Sequence, residues 1–288
     1  MPSLADVVAV LDRLYPPELA ADWDAVGPVC GDPDAEVRTV LLAVDPVDDV
    51  VDEVVRRGAD LLVTHHPLFL RGTSSVYGGT AKGRIVTRLL TAGAGLHVAH
   101  TNADDAVGGV SAELARVLGV VDVEPLVPHP GGPADVGSGR VGVLSHPTTL
   151  GAFAQRVADA LPATPVGIRV AGDLSRPVRR VAVCGGAGDQ LLDHAHAAGA
   201  DVFVTADLRH HYSSELLARG GPALVDPGHW ATEWPWLPAA ARAMVAELAD
   251  TVDVHVSHVV TDPWTAIVTR VEPARAPART AAPEGSTP

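Results

Sequence analysis

Val37-Arg-Thr-Val-Leu41 is followed by Gly58-Ala-Asp-Leu-Leu-Val-Thr64, and both return 141 residues later as Val178-Arg-Arg-Val-Ala182 and Gly199-Ala-Asp-Val-Phe-Val-Thr205. Two short matches in one register mark an internal duplication. Each copy opens on a buried-type apolar run, Val37 to Val44 in the first, and closes on another, Asp60 to Thr64. The span between them, Val47 to Arg57, has helical character. Further helices are expected at Leu4 to Leu14 with Ser3 as N-cap, Arg84 to Ala92, Val110 to Leu118 and Leu150 to Leu161, with extended runs at Leu96 to Ala99 and Val141 to Leu144. Alternating strands and helices define an α/β fold, here duplicated α/β half-domains with mixed sheets facing each other across a cleft. The expected division is a first half over 1–126, a connecting segment with a small βα unit over 127–177, a second half over 178–271 and a disordered tail over 272–288. Val127 to Gly139 is rich in Pro and Gly and reads as connector; Ala276 onward, APARTAAPEGSTP, carries no apolar period.

Composition narrows the partners. The 288 residues carry 21 Lys plus Arg against 35 Asp plus Glu, a net charge of -14. That charge counts against nucleic acid and against acidic membrane surfaces. Aromatic residues, at 4%, are too few for a base-stacking platform. The two cysteines, Cys30 and Cys184, form no CxxC pair, which argues against a disulfide framework or a thiolate zinc site. No secretory leader and no run of about 18 apolar residues stands out, so the expected compartment is the cytoplasm.

Chemistry-bearing residues collect at strand ends. The first repeated strand closes in Thr64-His65-His66-Pro67. Adjacent strand residues normally face opposite ways, but at a strand end with Pro67 forcing a turn both imidazoles can reach one locus and serve two ions. The next strand end, His100-Thr-Asn-Ala-Asp104-Asp105, joins an imidazole to two carboxylates. Either Asp suits a bridge between two cations, and either suits a helix cap. In the second half Gly228-His229-Trp-Ala-Thr-Glu233 sets an imidazole and a carboxylate one helical turn apart. Imidazoles mixed with carboxylates suit Zn, Fe, Mn, Co or Ni better than Ca or Mg, and the lack of thiolates favours an open catalytic site over a closed structural one. Cys184-Gly-Gly-Ala-Gly-Asp189 reads either as an anion-holding loop or as a tight strand-to-helix turn.

The motifs WDAVGPVCG (23–31), VTHHPLF (63–69), HTNADDAVGGV (100–110), CGGAGD (184–189), GADVFVTADLRHH (199–211), GHWATE (228–233) and TDPW (261–264) resemble, in order, those of the NIF-three-like dinuclear-metal-centre proteins, often labelled GTP cyclohydrolase I type 2 homologues. The resemblance implies a homohexameric ring with two divalent metal ions per chain. It assigns His65, His66, Asp104, His229 and Glu233 as ligands, choosing Asp104 over Asp105, and places His100 and His211 near the centre. Two positions depart from the family pattern. Ala25 stands where an Asn is usual, and Ala206 where a Gly is usual, which questions a positive φ there.

Two functions follow as expectations. One is a metal-dependent hydrolase, with Glu233 or His211 moving protons and, through the resemblance, GTP as a small-molecule nucleotide substrate. The other is a non-enzymatic metal-binding, storage or regulatory scaffold. Coordination saturated by protein atoms favours the second, and open positions favour the first.

Overall fold

Asp60 shows how the duplication is built. Its Oδ2 accepts the backbone N–H of Arg38 and of Thr39, at 2.8 and 2.9 Å. Asp201 does the same to Arg179 and Arg180, both at 2.8 Å. Each Asp therefore locks the start of one strand beside the next. In this computed structural model, which describes residues 1–249 and 251–269, β2 (Thr39–Ala43) pairs in parallel with β3 (Leu61–Thr64), and β8 (Pro177–Ala187) with β9 (Val202–Ala206). The registers coincide: Val40 faces Leu61 in one copy, Val181 faces Val202 in the other. The expected disordered tail over 272–288 lies outside the described residues.

Two mixed sheets result. The first is ordered β1-β4-β3-β2-β11, with β1 (Gly27–Cys30), β4 (Gly95–Val98) and β11 (Asp253–Val256). Only β1 runs antiparallel in it. The second is ordered β5-β6-β8-β9-β10-β7, with β5 (Val120–Pro128), β6 (Gly137–Thr149), β7 (Arg169–Ala171) and β10 (Ala223–Asp226). Its centre, β8-β9-β10, is parallel and its margins are antiparallel. The proposed connector narrows to residues 129–136, because β5 and β6 form a hairpin around it. The sequence pattern hid this: β5 carries Pro125 and Pro128 on a sheet edge, where a missing N–H costs no ladder bond.

The α-helices of the described residues are α1 (Leu4–Leu14), α2 (Asp48–Arg57), α3 (Ala81–Thr91), α4 (Thr101–Asp105), α5 (Val110–Val117), α6 (Leu150–Ala160), α7 (Leu192–Ala197), α8 (His210–Ala218), α9 (His229–Glu233) and α10 (Trp236–Glu247). Ser3 caps α1 in a capping box with Asp6. One apolar core joins α1 and α10 to the inner face of the first sheet, with Trp236 and Leu42 fully buried. A second packs α6, through Phe153 and Val157, on the β8–β9 side. The last strand among the described residues, β11, lies beside β2, so residues from after the second repeat close the first sheet. Among the described residues, no helix is long and apolar enough to cross a membrane.

Candidate metal centre

Both repeats deliver side chains at the ends of their parallel strands. After β3 the chain turns at His65-His66, and Thr64 Oγ1 donates to the His66 carbonyl at 2.9 Å to hold the turn. The two rings come to 5.1 Å, centroid to centroid, so a pair that would point apart within a strand converges beyond its end. After β4, His100 precedes the one-turn α4 with Asp104. After β10, Gly228 at φ 92° opens the matching one-turn α9 with His229 and Glu233. The two short helices are counterparts in the duplication.

The chain brings all five expected ligands together. His229 Nε2 lies 2.9 Å from Glu233 Oε1, His66 Nε2 3.2 Å from Glu233 Oε2, and His65 Nε2 3.5 Å from Glu233 Oε1 and 3.6 Å from Asp104 Oδ1. His66 and His229 present their Nε2 atoms to each other at 3.2 Å. His100 belongs to the same cluster: donor atoms of His65, His66 and His100 lie within 4.8 Å of one another, as do those of His66, His229 and Glu233. Asp105 turns elsewhere, accepting from Ser138 Oγ at 2.7 Å and facing His129 Nδ1 at 3.4 Å. His211 stands apart. It is exposed on α8, with its ring edge-on to His210.

The other ring nitrogens are all spoken for. Nδ1–H donates to the Ala99 carbonyl from His65 (2.9 Å), to Asp45 from His66 (2.7 Å), to Asp24 from His100 (2.9 Å) and to Asp207 from His229 (2.8 Å). Each imidazole is thereby fixed in the tautomer that leaves an Nε2 lone pair facing inward, the outer-shell arrangement typical of metal-binding histidines. Meanwhile His65 Nε2, Asp104 Oδ1 and Glu233 Oε2 are buried without a hydrogen-bond partner among the described residues. Buried orphaned acceptors are costly unless a cation satisfies them, so the donor set fits a metal ion.

The electrostatics agree. Burial disfavours a charged His66, yet Glu233 and Asp45 overcome it and lift the imidazolium to about 11. His229 is raised to about 10, with burial again overcome by Glu233 and Asp207. Burial also works against a Glu233 carboxylate, and the surrounding imidazoles hold it well below its usual range. Asp104 is pushed up to about 7, chiefly by burial and then by the Glu233 charge. The cluster thus draws in positive charge, as protons or as a cation.

Glycines make room for it. A Cβ on Gly186 (φ 63°) would sit 2.3 Å from Glu233 Oε1 and 3.0 Å from His229 Nε2. Gly185 and Gly186 belong to β8, and their N–H groups donate to Ser111 Oγ and Thr232 Oγ1. Of the two readings of Cys184 to Asp189, the strand-to-helix turn fits, because β8 ends at Ala187 and a single 3-10 turn, Asp189–Leu191, leads into α7; Gly185 and Gly186 lie in the strand, and their role is close approach. Ala206 keeps ordinary strand backbone, and the positive φ falls on the next residue, Asp207, at 56°. That is an uncommon conformation for a side chain, and it belongs to the residue that anchors His229. Asp24, Asp45 and Asp207 were not singled out from sequence. Asp24 and Asp207 lie inside family motifs but were given no role there, and Asp45 lies outside them; nothing local shows that Asp24, Asp207 and Asp45 pair with histidines 76, 22 and 21 residues away.

The cluster lines a cleft of about 970 Å³ whose walls include Trp23, Lys82, His100, His129 and Cys184.

A mixed α/β fold with a His/carboxylate cluster able to hold a metal ion between its two sheets defines the class. The family model for Duf34/NIF3 (NGG1p interacting factor 3) matches residues 2–263, and the chain belongs to that family. A "GTP cyclohydrolase 1 type 2 homolog" of Streptomyces coelicolor is 56% identical over 273 residues, covering 93% of this chain and 95% of that protein. One of the same name from Mycobacterium leprae is 36% identical, covering 91% and 94%. Its alignment runs over 366 positions, more than this chain's 288 residues, so that relative carries additional internal sequence. Among solved structures, a Bacillus cereus protein related to NIF3 superposes with TM-score 0.85 at 25% identity, covering 92% of this chain and 99% of that one. A Staphylococcus aureus hypothetical protein does so with TM-score 0.84 at 26%, covering 93% and 100%.

Proposed function

We propose that this chain is a metal-dependent hydrolase whose two divalent ions are held by His65, His66, Asp104, His229 and Glu233, with His100 as a further donor. One observation carries the reading: four imidazoles have Nδ1 tied outward while their ring edges converge on the buried Glu233 and the half-buried Asp104. Metal ions at such a site acidify water and polarise a substrate oxygen. Around them the chain's own residues have distinct tasks. Asp24, Asp45 and Asp207 orient the imidazoles. Glu233, almost fully buried among three Nε2 atoms, holds charge in place and is poorly placed to carry protons in and out. His129, braced by Asp105 and facing the cleft, is better placed for proton transfer than His211, which does not line it. The open cleft of about 970 Å³ supports a substrate-handling protein over a storage scaffold. The names of the relatives suggest GTP as the first substrate to try, and self-association into a hexamer in the cytoplasm completes the proposal.

The test is mass spectrometry of GTP incubated with protein loaded in turn with Zn, Mn, Fe, Co and Ni, with Glu233→Gln as control. A ring-opened or deformylated product, absent in the control, supports a cyclohydrolase. Unchanged GTP under every metal removes that substrate. Metal content unaltered in both His65→Ala and Glu233→Gln removes the ligand assignment itself.

A further inference from the structure

A second cavity, of about 660 Å³, shares only His66 and His229 with the cleft. The Thr261-Asp-Pro-Trp264 motif forms one of its walls, and nothing in the metal reading uses the Asp and Trp of that motif. The cavity's charges are unbalanced. Of its four carboxylates, Asp45 pairs with His66, Asp207 with His229 and Asp226 with Arg169, so Asp262 alone has no cationic partner among the described residues. Asp45 spends both oxygens, on His66 and on the Thr261 hydroxyl. Asp226 spends its second on the Gly228 N–H at 3.0 Å.

Two carboxylate oxygens are left over. Asp207 engages His229 through Oδ2 only. Asp262, just 9% exposed, accepts the Trp264 N–H through Oδ1 at 2.8 Å and has no partner for Oδ2 among the described residues. That Oδ2 lies 3.4 Å from where a Cβ on Gly228 would stand, so the bare glycine leaves space beside it. A carboxylate oxygen that faces a cavity with no partner among the described residues suits a donor, and charge makes a cation the best one. The apolar part of the lining includes Val166, Leu208 and Ile267 beside a Trp264 that is 66% exposed. An uncovered indole next to carboxylates suits the flat face of a cation.

We propose that this cavity binds a small organic cation, an amidinium or aminated ring, with its charge on Asp262 and its flat face on Trp264. The site stands independently of the metal reading. Isothermal titration of the metal-loaded full chain with benzamidine tests it, with benzoate as the charge-inverted probe of the same shape. Saturable benzamidine binding is expected, weakened about tenfold by Asp262→Asn, which removes a charge-assisted hydrogen bond. The Asn amide oxygen still accepts from Trp264, so the turn survives. Trp264→Leu, at an exposed side chain, should weaken binding without affecting the fold. No saturable binding, equal binding of benzoate, or unchanged affinity in both variants would overturn the site.

Discussion

At the residue scale the proposed centre should depend on groups that are not themselves ligands. Asp45→Asn and Asp207→Asn keep a hydrogen-bond acceptor for His66 and His229 but remove the charge behind each imidazole. Loss of such a partner typically weakens metal affinity about 10- to 100-fold. Competition titration against a chelator should show that loss with the far-ultraviolet circular dichroism unchanged; wild-type affinity in both would mean the tethers are incidental. Gly186→Ala goes further, since its Cβ would collide with Glu233 and its backbone is left-handed. Metal binding should fall below detection in a protein that still folds. Away from the centre, His97 is 2% exposed, its Nδ1 has no partner among the described residues, and burial lowers it to about 4. Its folded value lies below the unfolded one of about 6.5. Between pH 6.5 and 4 the unfolded chain therefore binds the extra proton, and stability declines as pH falls, by roughly 3 kcal/mol for this group at most. His97→Leu should flatten that part of the acid limb in urea titrations. An acid slope identical to wild type would assign it to other groups.

At the element scale, the repeat was legible because it is written in contiguous residues. The Gly-Ala-Asp that ends each α-helix and starts each following strand has a purely local task. Gly58 (φ 65°) and Gly199 (φ 68°) terminate α2 and α7, and the Asp two residues on clamps the neighbouring strand. Asp60→Ala and Asp201→Ala each remove an acceptor shared by two backbone N–H groups. Allowing for partial exposure, each should cost about 1–2 kcal/mol, and the two costs should match if the halves are true counterparts. Denaturant midpoints at constant m measure this. Margins were harder to read. Strand β1 carries Pro28, β7 has only three residues, and β11 (Asp-Val-His-Val) shows half-polar alternation. Edges need no continuous apolar run, so they resemble loops in sequence. The residues of the cluster were legible because each sits at a strand end in a short motif. Their carboxylate tethers were not, since only the folded sheets bring them near.

At the scale of the whole molecule, duplication has produced one site from two halves that no longer match. At the strand ends, Asp45, His65 and His66 of the first copy correspond to Gly186, Ala206 and Asp207 of the second, at the same offset of 141 residues. The second copy has kept small residues and a tether where the first has imidazoles, which leaves room for His229 and Glu233 to enter from α9. Besides the packing of α10 on the first sheet and of α5 on the second, two features join the sheets. Strand β11 returns to the first sheet, and Glu233, carried by the second repeat, sits among His65 and His66 of the first. A cation bound there contacts both halves and stabilises only the state in which they are docked. Thermal unfolding should therefore be one transition, and loading with metal should raise its midpoint as a whole. At a free metal concentration about 100 times Kd the gain is about 2.7 kcal/mol, and a chelator should reverse it. Two transitions, with metal shifting only one, would mean that the ligands come from a single half and that the cluster between the sheets is not the binding site.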